Sequence, residues 1–191
     1  ERALSKVRKK NAGDTHGFVS RKEKATVKKI HDFMQKKQIE KGTVYIDKIM
    51  KKNPSARLLG SCAFFYGHFY SQTKNEEYAL RAIEIYKQSI EKDDSIATTW
   101  SLLGNLRIRL GQQEQGMSDL KQAISIDPAQ VPEAVADFHI IKANTYIDNR
   151  DIILGFQVLV EAYQVSNANS QVVERLRKYL KFKYEQNSYV R

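Results

Sequence analysis

The sequence predicts an all-α protein built from helix hairpins. Apolar residues recur at helical spacing in most windows, as in "LRAIEIYKQSI" and "VVERLRKYLKF". The chain has only three prolines in 191 residues, and alternating β-branched runs are rare. Small residues also recur in pairs at a fixed offset. Gly104 and Gly116 lie twelve apart, as do Ala143 and Gly155, and Ile30 and Gly42 hold the same offset. A small residue in each arm lets two antiparallel helices approach closely.

Each element follows in order. Residues 1–22 hold "NAGDTHG", many cations and little apolar material. They read as a basic arm or linker, or as the end of a helix from a preceding domain. The chain begins with Glu rather than Met, which suggests a piece of a longer protein whose native start, with any targeting information, is missing. Residues 23–56 form the first hairpin, with Ile30 where the other hairpins have a small residue. Residues 60–96 form the second. There Gly67 and Ala82 are fifteen apart, so "SQTKNEE" holds a three-residue insertion in the turn.

Residues 97–130 form the third hairpin, "WSLLGNLRIRLGQQEQGMSDLKQAISIDP" at its heart. Trp100, Leu103, Gly104 and Arg107 share one face, Gly111-Gln112 supplies the break, and Gly116, Leu120 and Ala123 share a face of the second arm. Asp127-Pro128 ends it. Residues 136–169 form the fourth hairpin, and the connection "AQVPEAV" before it extends the next helix or adds a turn. In 170–191, Val172, Val173, Leu176, Leu180 and Phe182 mark one more amphipathic helix, a cap for the apolar face a terminal hairpin would expose.

The third hairpin resembles the tetratricopeptide repeat, whose pattern runs W-x2-L-G-x2-Y, then A-x3-F, then P over about 34 residues. Trp100, Leu103, Gly104 and Pro128 match. Gly116 and Leu120 replace the Ala and the Phe, and Arg107 stands where an aromatic is usual. The second arms align without gaps: Gly42, Ile46 and Ile49 with Ala82, Tyr86 and Ser89, with Gly116, Leu120 and Ala123, and with Gly155, Leu159 and Ala162. The resemblance implies a right-handed superhelix of about four repeats whose first helices line a concave groove.

The residue after the small one of each first helix would then face that groove. These residues are His31, His68, Asn105 and Asn144. Asn offers a donor and an acceptor, so it can grip a peptide bond without reading the side chain. One turn to either side, Phe64, Phe65, Leu102, Arg109, Ile140 and Ile141 add apolar contact and one cation. Three aromatics in a row, Phe64 to Tyr66, cannot all point one way from a helix, so Phe64 or Phe65 faces the groove or an adjacent repeat. The family also contains clamps for the acidic tails of chaperones. Phe64, Ser101 and Ile141 stand where such a clamp needs Lys, Asn or Arg, so that partner is not expected.

Charge divides the chain. Residues 1–52 hold 16 Lys and Arg against 6 Asp and Glu, whereas 53–169 hold 10 against 14. Lys28, Lys29, Lys36 and Lys37 form a basic patch suited to nucleic acid, an anionic membrane or an acidic protein face. No base-stacking aromatics or nucleic-acid motif accompany them. The single Cys62 sits in "CAFFYGHFY" as a small core hydrophobe. No phosphate loop, nucleophile elbow or metal-ligand spacing occurs, so no catalytic residue, cofactor, metal or small-molecule substrate is expected. No apolar run reaches the roughly 18 residues of a membrane span, and a cytoplasmic setting fits the single cysteine. The expected role is a non-catalytic protein- or peptide-binding module of a larger signalling or assembly protein. An adaptor for nucleic acid or anionic surfaces, and a self-association scaffold, stay open.

Overall fold

The computed structural model describes residues 21–165 and 169–188, and all of their regular structure is helical. The chain divides into two compact units, 1–92 and 93–191. The expected basic arm lies outside the described residues except for its last two, Arg21 and Lys22, which begin the first helix. The side chain of Phe182 is also outside them.

The first unit holds α1 (Arg21–Gln35), α2 (Ile39–Met50), α3 (Ala56–Thr73) and α4 (Glu76–Lys92). The start of α3 is fixed by Ser55, whose Oγ accepts from the Leu58 N–H at 3.3 Å. Nine of its 18 residues are buried, so it is the core helix of the unit, wrapped on more than one side. Its aromatics pack edge to face, with Phe65 4.8 Å from Phe69 and 5.4 Å from Tyr66 between ring centroids. Cys62 is fully buried among them, and burial pushes its thiol up to about 12. Such a thiol is a small core hydrophobe at any ordinary pH.

The second unit holds α5 (Ala97–Arg109), α6 (Gln113–Ile126), a 3-10 turn (Pro128–Gln130), α7 (Pro132–Asp148), α8 (Ile152–Val165) and α9 (Ser170–Ser188). The long connection does both things the sequence allowed. Asp127 caps the 3-10 turn, its Oδ1 accepting from the Ala129 N–H at 3.0 Å, and Pro132 then opens α7 ahead of residue 136.

Backbone closeness holds the third hairpin. A Cβ on Gly104 would sit 2.8 Å from the Gly116 carbonyl, and one on Gly116 would sit 2.7 Å from the Gly104 carbonyl. Only glycine at both positions permits that contact. Arg107, standing in the aromatic's place, reaches Asp119 at 2.6 Å, and Asp119 is 4% exposed. The pair repeats the twelve-residue offset one turn along, so a buried charge pair does the packing that an aromatic does elsewhere. The fourth hairpin closes in the same way, with a Cβ on Gly155 falling 3.0 Å from the Ala143 carbonyl.

The second hairpin departs from the expected register. Gly67 is not a contact residue: a Cβ there would meet nothing within 4 Å. The buried Ser89 hydroxyl donates to the Ala56 carbonyl at 2.7 Å, while their counterparts Ala123 and Ala97 share one core cluster. Ala56–Lys92 spans 37 residues against 30 for Ala97–Ile126, so this hairpin is longer by seven, about two helical turns. The extra residues lengthen both helices rather than the turn. Counted from the hairpin's base, the fully buried Ala63 takes the place of Gly104.

The first hairpin also closes differently. A Cβ on Gly42 would collide with the Phe65 ring of α3, so its missing side chain makes room for an aromatic from the neighbouring hairpin rather than for Ile30. In every hairpin a left-handed residue follows the first helix: Lys37 (φ 52°), Lys74 (58°), Gly111 (79°) and Arg150 (65°). Glycine accepts that conformation freely, whereas an L side chain resists it.

Candidate functional site: the first-helix faces

In the first unit, His31 is exposed on α1 and its ring lies 6.4 Å from that of Phe64 on α3. Phe64 follows Ala63, so Phe64 and not His68 is the residue beside His31. His68 lies one turn further along α3, half-buried, 2.9 Å from Gln72 and edge-on to Phe69. Phe65 is a correction. It is 0% exposed and fills the space over Gly42, so it holds two hairpins together and cannot touch a guest.

In the second unit, Leu102, Asn105, Ile141 and Asn144 are half-buried and Arg109 is exposed. Ile140 is a second correction: it is 8% exposed and packs in the core with Ala143, Val158 and Leu159. Asn105 on α5 donates its side-chain amide to Asp137 on α7, with the Arg109 guanidinium nearby. Burial raises the Asp137 pKa, and the Asn105 bond and Arg109 oppose the rise without cancelling it.

Asn144 opens onto a cavity of about 500 Å³ floored by Ile147 and Leu159, with Arg175, Lys178 and Tyr179 of α9 on its far wall. Tyr179 stacks on Phe156, its ring centroid 4.7 Å away, and Lys178 pairs with Glu174 at 3.3 Å. Sequence reasoning treated α9 only as a cap, and so missed the cations it brings to Asn144. It also missed Asp137, although Asp137 lies seven residues before Asn144, two turns along one face.

The basic patch is placed plainly. Lys28, Lys29, Lys36 and Lys37 are all exposed in the first hairpin. The Lys29 ammonium sits 4.6 Å over the ring of Tyr45. Among the described residues no helix is long and apolar enough to cross a membrane.

Comparison with known proteins bears on the hairpin with the glycine contact. The family profile "Tetratricopeptide repeat" matches residues 97–130, which are the third hairpin. Residues 97–130 are a tetratricopeptide repeat. Among solved structures, the fold is similar to the crystal structure of MamA, with a TM-score of 0.51 at 15% identity, covering 83% of this chain and 96% of that one. That likeness speaks for the fold. No curated protein matches the chain in sequence. Tetratricopeptide repeats serve generally as protein-interaction or scaffold modules, and the polar pairs on α5 and α7 belong to such a repeat and its neighbour.

Proposed function

We propose that this chain is a non-catalytic interaction module that holds an extended peptide or a helix of a partner protein along the faces of its first helices. Four repeats (23–56, 60–96, 97–130 and 136–169) with a cap at 170–191 belong to the same reading. The observation that carries it is the amide pair on α5 and α7. Asn105 and Asn144 both stay half-buried at the surface, and Asn105 lies beside the Asp137 carboxylate. Each amide offers both a donor and an acceptor to a guest's backbone. Leu102 and Ile141 beside the amides offer partly exposed apolar area for a guest side chain.

The test is partner capture from native lysate, read by mass spectrometry, for the wild type and for Asn105→Ala with Asn144→Ala. The double variant should lose captured partner by tenfold or more, about the worth of one to two hydrogen bonds, while helix content by circular dichroism stays unchanged. Capture at the wild-type level would remove the reading.

A further inference from the structure

The helix α8 is apolar nearly all round, and Glu161 is the single charged residue among its 14. A helix of that kind is ordinarily covered on every side. Here its buried residues are Gly155, Val158, Leu159 and Ala162. Among the described residues eight large apolar side chains are exposed, and six of them stand on α8 and α9: Ile153, Leu154, Val160, Tyr163, Val165 and Leu180. The cap therefore covers only part of the terminal face. It buries Val172 in the core of the fourth hairpin and stacks Tyr179 on Phe156, while Leu180 stays in solvent.

Ile153, Phe156, Val160 and Tyr163 follow one another at spacings of three, four and three, so they form one stripe along α8. Phe156 is half-buried and the other three are exposed. Gln157 and Gln164 edge the stripe, and Glu161 lies off it. The stripe shares no residue with the first-helix faces.

Its spacing reads the same in both directions, which a two-fold axis through its midpoint requires. About that axis Ile153 faces the partner's Tyr163, and Phe156 faces the partner's Val160. Each ring then meets a branched aliphatic side chain, large against small, at both ends of the seam. Charge favours the same occupant. Two chains of net charge +10 repel across most of their surface, and this stripe brings no cation to the contact. Arg177 and Lys181 are exposed on the neighbouring α9, which confines the approach to α8. A charged partner would find nothing on the stripe to pair with.

We propose that α8 is a self-association face, on which two copies of the chain pair antiparallel about a two-fold axis and bury Ile153, Phe156, Val160 and Tyr163 against the same four residues. A seam of one 14-residue helix is about 21 Å long, small for a permanent dimer, so dissociation falls in the micromolar range.

The test is analytical ultracentrifugation of the full chain across a concentration series. The chain should sediment as a dimer at about 100 μM and dissociate on dilution. Rising salt should not weaken it, since salt screens the repulsion between the two cationic chains and leaves the apolar contact. Ile153 is 69% exposed, so it tolerates a charge in the folded monomer. Ile153→Lys and Tyr163→Glu should each weaken the dimer about tenfold or more, and Leu80→Lys, an equally exposed site elsewhere, less than about twofold. Ile153→Lys with Tyr163→Glu in one chain sets opposite charges face to face, and should dimerise better than either single variant. A monomer at about 100 μM, a dimer lost to salt, equal losses for Leu80→Lys and Ile153→Lys, or a double variant no better than the singles would each overturn the proposal. Circular dichroism of every variant separates loss of pairing from loss of fold.

Discussion

The second and third hairpins solve the same packing problem with different residues. In the third, two glycines bring backbone against backbone, and a buried ion pair of Arg107 and Asp119 fills the adjacent level. In the second, which is two turns longer, the fully buried Ala63 and Ala82 stand where the glycines stand, Tyr66, Phe69 and Tyr86 fill the space around them with aromatic volume, Phe65 packs on to the first hairpin, and a Cβ on Gly67 would meet nothing within 4 Å. Close approach demands one residue type at one offset. Volume filling accepts many residues at many offsets. The first device is therefore visible to pattern matching and the second is not, which is why the family profile finds residues 97–130.

The sharpest way to break this contrast is Phe65→Ala. If aromatic volume holds the first unit together, the variant should lose roughly 3–5 kcal/mol in urea unfolding, as expected for an emptied, fully buried ring site. A loss near that of a surface substitution would mean that the Phe65–Gly42 contact contributes little.

Next comes the ion pair. Asp119→Ala strands a guanidinium whose side chain is 16% exposed, and should cost about 3 kcal/mol. Arg107→Leu with Asp119→Leu should recover most of that loss, because packed apolar side chains replace a buried pair well. A double variant as unstable as the single one would show that the charges do more than fill space.

The smallest effect sits in the turns. Arg150 holds a left-handed conformation that Gly111 holds in the third hairpin. Arg150→Gly should gain about 0.5–1 kcal/mol and Gly111→Arg should lose a similar amount, measured by the same unfolding curves. Matching signs for both would sever the equivalence of the two turns.

These contrasts explain what the sequence revealed and what it hid. The partners Gly104 and Gly116, and Ala143 and Gly155, were legible because contact through the backbone leaves small residues at a fixed spacing. Gly67 misled because a glycine demanded by contact and one tolerated in open space look alike in a single sequence. The added length of the second hairpin was misassigned to its turn. Two extra turns restore every residue to its face, so the periodicity was unaltered. That shift moved Phe64, not His68, beside His31. On the first-helix faces, Asn105 and Asn144 were readable from their place after a small residue. The Asp137 beside Asn105 was not, because the two meet only once α5 and α7 lie side by side.

The sequence by itself determined the helical class, the hairpin plan and the glycine-closed third repeat, since periodicity and a contact-forced residue type are properties of the chain read in order. Tertiary structure alone decided that Phe65 is interior, that α9 brings cations to Asn144, and that Ile153, Val160 and Tyr163 of α8 stay uncovered. Each of these depends on which helix stands across from which, and spacing along one helix carries no record of what packs against it.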